Sequence, residues 1–304
     1  MPVFFVLLVY HQLFYCIFVL RKNTMKNILF LFAVFATLSS TKGQSCCMKN
    51  SDQTFAQLAV NESFAAAHLD PLPYDKGEHK GEVITFSTTD DNLPGNAYLI
   101  KAKNLTNNWI LIYHEWWGLN DYIKSEADKI QASVGNCNVM AIDLYDGKVA
   151  KDAKTAQEYS SSLNDSRVRN IIQGAYNYFS GDSKVISLGW CLGGGWSLQS
   201  AMMGQERSVG CVIYYGMPEN DVEKLSKLNC DILGFYGQQD KFIAPKLVSD
   251  FKANLKAAGI KSTIKTYNAD HAFANPSNPK HDVVATKDAY TIAIKYIKEK
   301  FGIK

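Results

Sequence analysis

Lys184-Val-Ile-Ser-Leu-Gly-Trp-Cys-Leu-Gly-Gly-Gly-Trp-Ser-Leu-Gln-Ser-Ala-Met-Met203 is the stretch that decides the fold. Lys184 to Leu188 is the short apolar run expected of a strand covered on both faces, and Gly193 to Met203 carries a helical pattern. Between them, Gly189-Trp190-Cys191-Leu192-Gly193 places a nucleophile between two glycines at a strand-to-helix turn. Such a turn crowds the backbone around the nucleophile, so residues without a Cβ two before and two after it relieve the conflict. Cys191 would then project above the sheet at a helix N-terminus, where unpaired N–H groups and the positive dipole end favour a thiolate and an oxyanion. A buried cysteine in a glycine-rich turn is the competing interpretation, and the rest of the chain decides between them.

On either side of this stretch, short apolar runs alternate with amphipathic ones. Trp109 to Tyr113, Val139 to Leu144, Val209 to Tyr214 and Asp231 to Phe235 read as buried strands, with Ser262 to Tyr267 as a last strand. Glu82 to Ser87 and Asn96 to Lys101, joined by the turn-rich Asp90 to Gly95, read as an antiparallel pair at one edge. Helical patterns cover Asp121 to Ser133, Ala153 to Phe179 with a break near Leu163-Asn164-Asp165, Pro245 to Ala258 with Gly259 as its C-cap, and Asp282 to Lys300. The alternation implies an α/β class with a mostly parallel central sheet and helices on both faces.

A nucleophile elbow needs an acid and then a histidine later in the chain. Asp240 lies in Phe235-Tyr-Gly-Gln-Gln-Asp-Lys-Phe-Ile243, just past a predicted strand, and His271 lies in Asn268-Ala-Asp-His-Ala-Phe-Ala274, just past the last one. Asp270 competes with Asp240, its bland role being that of a turn or cap residue. Of the six histidines only His114 and His271 sit at strand ends; His68, His79 and His281 fall in polar stretches and His11 in the leader.

The segment Tyr113-His114-Glu115-Trp116-Trp117-Gly118-Leu119-Asn120 follows an early buried strand. Gly118 stands where a zinc-binding H-E-x-x-H helix would need its second histidine, which excludes that motif. The loop instead occupies the place that supplies one oxyanion N–H in α/β-hydrolases. Glu115, beside two tryptophans, either reaches solvent or bonds something important, because burying a carboxylate without a partner is costly. The glycines at Gly189, Gly193, Gly194 and Gly195 fit neither a dinucleotide nor a Walker phosphate cradle.

Together, H-E-W-W-G-L-N from His114, D-L-Y-D-G from Asp143 to Gly147, G-W-C-L-G-G-G from Gly189 to Gly195, Y-G-Q-Q-D from Tyr236 to Asp240 and H-A-F-A-N-P from His271 to Pro276 resemble the dienelactone hydrolase family in order and spacing. The resemblance covers about Gly81 to Lys304 and implies an α/β-hydrolase in which Cys191 attacks a lactone or ester carbonyl. It pairs His271 with Asp240, lets the residue at Glu115 govern when the thiol becomes a thiolate, and gives the backbone N–H groups of Trp116 and Leu192 to the oxyanion. Trp117, Tyr145, Phe273 and Asn275 are candidate pocket residues. Asn275 stands where the family carries a carboxylate-binding arginine, and Arg167 and Arg169 are only candidates for a second family arginine. The expected reaction is therefore cleavage of a carboxylic ester or lactone through a thiol-ester acyl-enzyme, rather than dienelactone hydrolysis itself. A thioesterase or small-amide hydrolase on the same residues, or a binding module that keeps the fold, are the alternatives.

The 304 residues, 47% hydrophobic and 20% charged, have the balance of a globular enzyme. The net charge of +3 is spread without a basic block, so no nucleic-acid partner is expected, and neither cofactor nor metal is implied. The partner expected is a small-molecule ester or lactone, with oligomeric state open. Residues 1–43 read as a leader: Met25-Lys26 gives a charged start, Ile28 to Leu38 an apolar stretch too short to span a bilayer comfortably, and Ser39 to Gly43 a cleavage region. The earlier apolar run, Pro2 to Leu20, reads either as a marginal transmembrane helix or as sequence upstream of the true start. On the favoured second reading translation begins at Met25 and the mature chain near Gln44, exported to a periplasm or medium without a stable membrane span, a membrane-anchored form being the alternative. Residues 44–80 read as a polar extension packed on the domain and carrying no chemistry, and 81–304 as the hydrolase domain. The cysteines outside the leader allow a structural bridge among Cys46, Cys47, Cys137, Cys211 and Cys230, with Cys191 excluded.

Overall fold

The computed structural model describes Phe55 and residues 57–75, 77–89 and 93–304. The leader, the proposed start at Met25, the cleavage region, Cys46, Cys47 and part of the turn before Gly95 lie outside the described residues.

Eight strands form one sheet in the order β1-β2-β4-β3-β5-β6-β7-β8. They are β1 Glu82–Phe86, β2 Gly95–Ile100, β3 Asn108–Tyr113, β4 Asn138–Asp143, β5 Lys184–Trp190, β6 Ser208–Tyr214, β7 Ile232–Gly237 and β8 Ser262–Tyr267. Strand β2 pairs antiparallel with both β1 and β4, and all other pairings are parallel. Burial explains why the central strands were readable as apolar runs: every residue of β4 and β7 is buried, as is every residue of β5 after Lys184. The edge strands β1 and β8 are buried only in part, Phe86 being the one buried residue of the two.

The helices are α1 Glu62–Ala67, α2 Asp121–Val134, α3 Ala153–Ser161, α4 Asp165–Tyr178, α5 Leu192–Met203, α6 Val222–Leu225, α7 Pro245–Ala257 and α8 Val283–Phe301. The break expected near Leu163 falls between α3 and α4, where the Asn164 side chain accepts the Arg167 N–H and restarts the helix. Gly259 follows α7 with φ +76°, the left-handed conformation that glycine adopts without strain. Two short helices had no expectation, α1 and the four-residue α6.

Chain order and sheet order diverge at β3, which has β4 on one side and β5 on the other. This reversal opens a crevice at the carboxyl ends of the strands, where α/β sheets place ligands. The turns after β3, β5, β6, β7 and β8 all emerge there.

The extension is strapped along the domain. Phe55, Ala59 and Phe64 belong to the hydrophobic core, the Ala59 carbonyl accepts from Gln157 (2.9 Å), Leu72 N–H donates to Ser277 (2.9 Å) and Tyr122 donates to Pro73 (3.0 Å). Asn61 caps α1 by accepting from Ser63 and Phe64. Among the described cysteines no bridge of those left open by the sequence is formed: Cys137, Cys211 and Cys230 are free and buried, as is Cys191. Cys137, Cys211 and Cys230 pack as small apolar groups, each with its thiol held above the ordinary range by burial.

Candidate active site

The turn from β5 into α5 is held by backbone contact. Cys191 has φ 52° and ψ −114°, a conformation that costs a non-glycine residue of order 1–3 kcal/mol. Its N–H is tied to the Tyr214 carbonyl at 3.0 Å. A Cβ on Gly189 would lie 2.0 Å from the Gly193 carbonyl oxygen, and one on Gly193 would lie 2.1 Å from that of Tyr113. The two glycines therefore let β5, α5 and the end of β3 approach closely enough to fix the sulfur over the crevice.

His271, in the turn after β8, bridges the other two groups. Its Nδ1 lies 2.7 Å from Asp240 Oδ2 and its Nε2 3.2 Å from Cys191 Sγ. Asp240 Oδ1 accepts the Phe242 and Ile243 N–H groups, both at 2.8 Å, so the carboxylate is aimed by the start of its own loop. Asp270 points outward and accepts the His271 backbone N–H at 2.8 Å, the turn role open to it from sequence. The three side chains are almost fully buried.

Burial opposes every charge here, and the contacts decide the outcome. Burial would raise the Asp240 carboxyl, but His271 and the two N–H donors hold it below its ordinary value. Burial would lower His271, but Asp240 and Cys191 together hold it well above. Burial pushes the Cys191 thiol up, against the pull of His271 and of the Leu192 N–H that hydrogen-bonds the sulfur. The arrangement can take a proton from sulfur onto an imidazole that the Asp240 carboxylate orients and stabilises.

Glu115 is 3% exposed, and both oxygens are occupied: Tyr215 donates to Oε1 at 2.9 Å and Asn275 to Oε2 at 2.6 Å. Burial raises its carboxyl to about 7 despite those donors and the nearby His271. Asn275, in the position of the family arginine, thus holds a carboxylate of the protein itself. His114 is structural. Its Nδ1 donates to the Glu115 carbonyl, its Nε2 accepts from Leu144 (3.0 Å), and burial keeps it neutral despite Asp143 nearby. It pins the 114–118 loop, which also carries the fully buried Trp116, to the end of β4.

The other sequence candidates are distributed around this centre. Trp117 lines a cleft with Asn120, Tyr122, Trp190 and Pro276 that reaches Glu115. Tyr145 is buried with its ring 4.8 Å from that of His114. Phe273 lies with its ring against Tyr215 and Tyr267, both near 5 Å. Arg167 is bound to Asp146 (2.7 Å) and to the Leu93 and Pro94 carbonyls, while Arg169 lies over the Trp196 ring.

Sequence reasoning missed two contributors. Tyr215 follows β6 with φ 39° and supplies the hydrogen bond to Glu115; its strand-end position was the available signal. The second is the extension. Phe64 is fully buried with its ring against Trp116 (5.2 Å), Phe242 (5.0 Å) and His271 (5.8 Å). His68, at the C-cap of α1, lies 4.5 Å from the Trp116 ring and 5.3 Å from that of His271. The segment expected to carry no chemistry covers the site, and only the Asn61 cap signalled that a helix was there.

Sheet order, the strand-to-helix elbow and the crevice residues define an α/β-hydrolase. The chain belongs to the dienelactone hydrolase family, whose sequence profile matches residues 96–301, and it is a carboxylic ester hydrolase. It is similar to a protein of Aquifex aeolicus named "Putative carboxymethylenebutenolidase", with 24% identity over 67% of this chain and 94% of the relative. A protein of the same name from Saccharolobus solfataricus is 26% identical over 60% of this chain and 85% of the relative. Among solved structures, a dienelactone hydrolase-like promiscuous phosphotriesterase from metagenomic libraries superposes with a TM-score of 0.61 at 18% identity. It covers 73% of this chain and 99% of its own, a likeness of fold.

Proposed function

We propose that the protein hydrolyses a carboxylic ester or lactone through Cys191 as nucleophile, His271 as general base and acid, and Asp240 as the residue that orients and stabilises the imidazolium. The observation that carries this is the His271 ring, set between Asp240 at 2.7 Å and Cys191 at 3.2 Å. The thiolate attacks the carbonyl carbon, and the oxygen takes up the charge against the Leu192 N–H and that of Trp116. As the tetrahedral species collapses, the His271 proton passes to the leaving alkoxide, or to the ring-opened hydroxyl of a lactone. Water, deprotonated by His271, then cleaves the thiol ester and releases the acid. The tryptophans beside the crevice, Trp116 and Trp117, support an apolar or aromatic substrate of modest size. The carboxymethylenebutenolidase name of the relatives makes dienelactone one candidate substrate, but Asn275 in place of an arginine, already held by Glu115, argues against recognition of its carboxylate there. Export through a leader ending near Gly43 belongs to the same proposal, as do an extension ending near Lys80 and a domain from Gly81; N-terminal sequencing of the natural protein tests the first.

The deciding experiment measures hydrolysis of a panel of short aryl esters and lactones, dienelactone included, by the chain from Gln44 onward. Cys191→Ala is run in parallel. Turnover that disappears in the variant is expected; turnover that survives in it removes Cys191 as the nucleophile.

A further inference from the structure

The hydrolysis above leaves one buried group unused, the His68 imidazole. Its Nδ1 lies 2.7 Å from the Phe64 carbonyl. A carbonyl oxygen only accepts, so Nδ1 carries the hydrogen and Nε2 presents a bare lone pair. Nε2 is buried and has no hydrogen-bond partner, which is unusual for a polar atom in a protein interior. The Cys191 sulfur and one ring nitrogen each of His68 and His271 lie within 4.8 Å of one another. The His271 nitrogen facing the sulfur is Nε2, and the His68 nitrogen without a hydrogen-bond partner is likewise Nε2.

We propose that His68, Cys191 and His271 form a binding site for a borderline-soft divalent cation of the Zn²⁺ class, and that its occupation reversibly blocks the nucleophile. Imidazole nitrogen and thiolate sulfur are both donors that zinc takes, and three protein ligands leave a fourth position for water, whereas magnesium and calcium need oxygen ligands. Each imidazole also has the outer partner that orients a metal-binding ring: a backbone carbonyl for His68 and a carboxylate for His271. Tetrahedral zinc with ordinary bond lengths sets its donor atoms about 3.4–3.6 Å apart. The Cys191–His271 pair already stands at 3.2 Å, and a movement of about 1 Å by His68 on its short helix closes the rest. The Phe64 carbonyl fixes the hydrogen on Nδ1, so the partnerless Nε2 is the atom of His68 that has a lone pair to offer. Binding releases one proton per ion to solvent, from the sulfur if the pair rests neutral or from His271 if it rests as thiolate and imidazolium. The inhibitory consequence rests on the hydrolase reading; the metal site itself does not.

The test uses the reduced, metal-stripped chain, titrated with Zn²⁺ by calorimetry and with Cd²⁺ by the ultraviolet thiolate-to-metal charge-transfer band. His68→Phe keeps the ring and its packing, and His68→Gln keeps a polar group of similar reach. Each should weaken binding at this site at least tenfold, since loss of even an outer partner costs roughly 10–100-fold. Cys191→Ala should remove the site's band, and Zn²⁺ should inhibit ester hydrolysis over the range in which it binds, reversed by chelator. Affinity unchanged in both His68 variants, or no band that depends on Cys191, overturns the proposal. His68-dependent binding in a protein that hydrolyses nothing supports the site and removes the hydrolase reading, while Cys191-dependent hydrolysis without His68-dependent binding does the reverse.

Discussion

Replacing Glu115 by glutamine tests the electrostatics of the crevice, because the structure sets two opposing effects of comparable size. The carboxyl is raised to about 7 in the folded protein, from an ordinary 4.5, chiefly by burial. A folded value above the unfolded one means that folding favours the protonated form. The stability this group supports is therefore complete below pH 4.5 and is lost as pH rises through about 7. At about 1.36 kcal/mol per pH unit, the loss reaches about 3 kcal/mol near pH 7 and changes little beyond pH 8. Glutamine does not ionise and removes that dependence. It also replaces one accepting oxygen with a donor, opposite Tyr215 and Asn275, which both donate. Asn275 cannot turn over without cost, because its own oxygen is held by the Ser277 N–H (2.8 Å) and hydroxyl (2.7 Å). An unmade buried hydrogen bond costs about 1–3 kcal/mol. Glu115→Gln should accordingly be the less stable protein at pH 4 and draw level with or overtake the wild type above pH 7. Urea unfolding at closely spaced pH values measures both curves. Curves that run parallel from pH 4 to pH 9 would refute the assignment of Glu115 as a buried carboxyl with a raised titration.

Gly193→Ala would set a Cβ 2.1 Å from the Tyr113 carbonyl and 2.4 Å from that of His114, both backbone atoms, so the elbow and the 114–118 loop must separate. A destabilisation of at least about 3 kcal/mol, the upper end for an overpacked core, is expected in denaturant unfolding, with hydrolysis lost in whatever protein remains folded. Phe64→Ala removes a fully buried ring from above His271, and its cost of about 3–5 kcal/mol should fall mainly on the docking of α1 rather than on the sheet. Cys191 should then react faster with an aromatic disulfide reagent while amide exchange in β3 and β5 is unchanged; an unaltered labelling rate would show that α1 does not limit access.

The sheet was legible because its strands are local. Ile110 to Tyr113 and Val139 to Ile142 are fully buried, so each is a continuous apolar run whatever lies beside it. Cys191, Asp240 and His271 were found by position, each just beyond a strand, and the structure brings them together. What escaped was held by tertiary contact. Asn275 and Glu115 are 160 positions apart, and nothing near either one names the other. Helix α1 is six residues with Phe64 its single buried member, too short for any periodicity to show. His68 was set aside because its neighbours in sequence are polar, yet its neighbours in space are Trp116, Phe242 and His271. The sequence left cysteine pairing open, and among the described residues Cys137, Cys211 and Cys230 are free and serve as core volume, a use that spacing does not distinguish from pairing.

The family profile begins at residue 96, whereas Phe64 and His68 precede it. The crevice residues and the side chains that cover them thus lie in separate stretches of the chain. Substitutions in the leading stretch change what lies against His271 while the elbow and its histidine stay as they are. A chimera carrying this stretch ahead of a relative's catalytic module could inherit the cover while keeping the relative's chemistry.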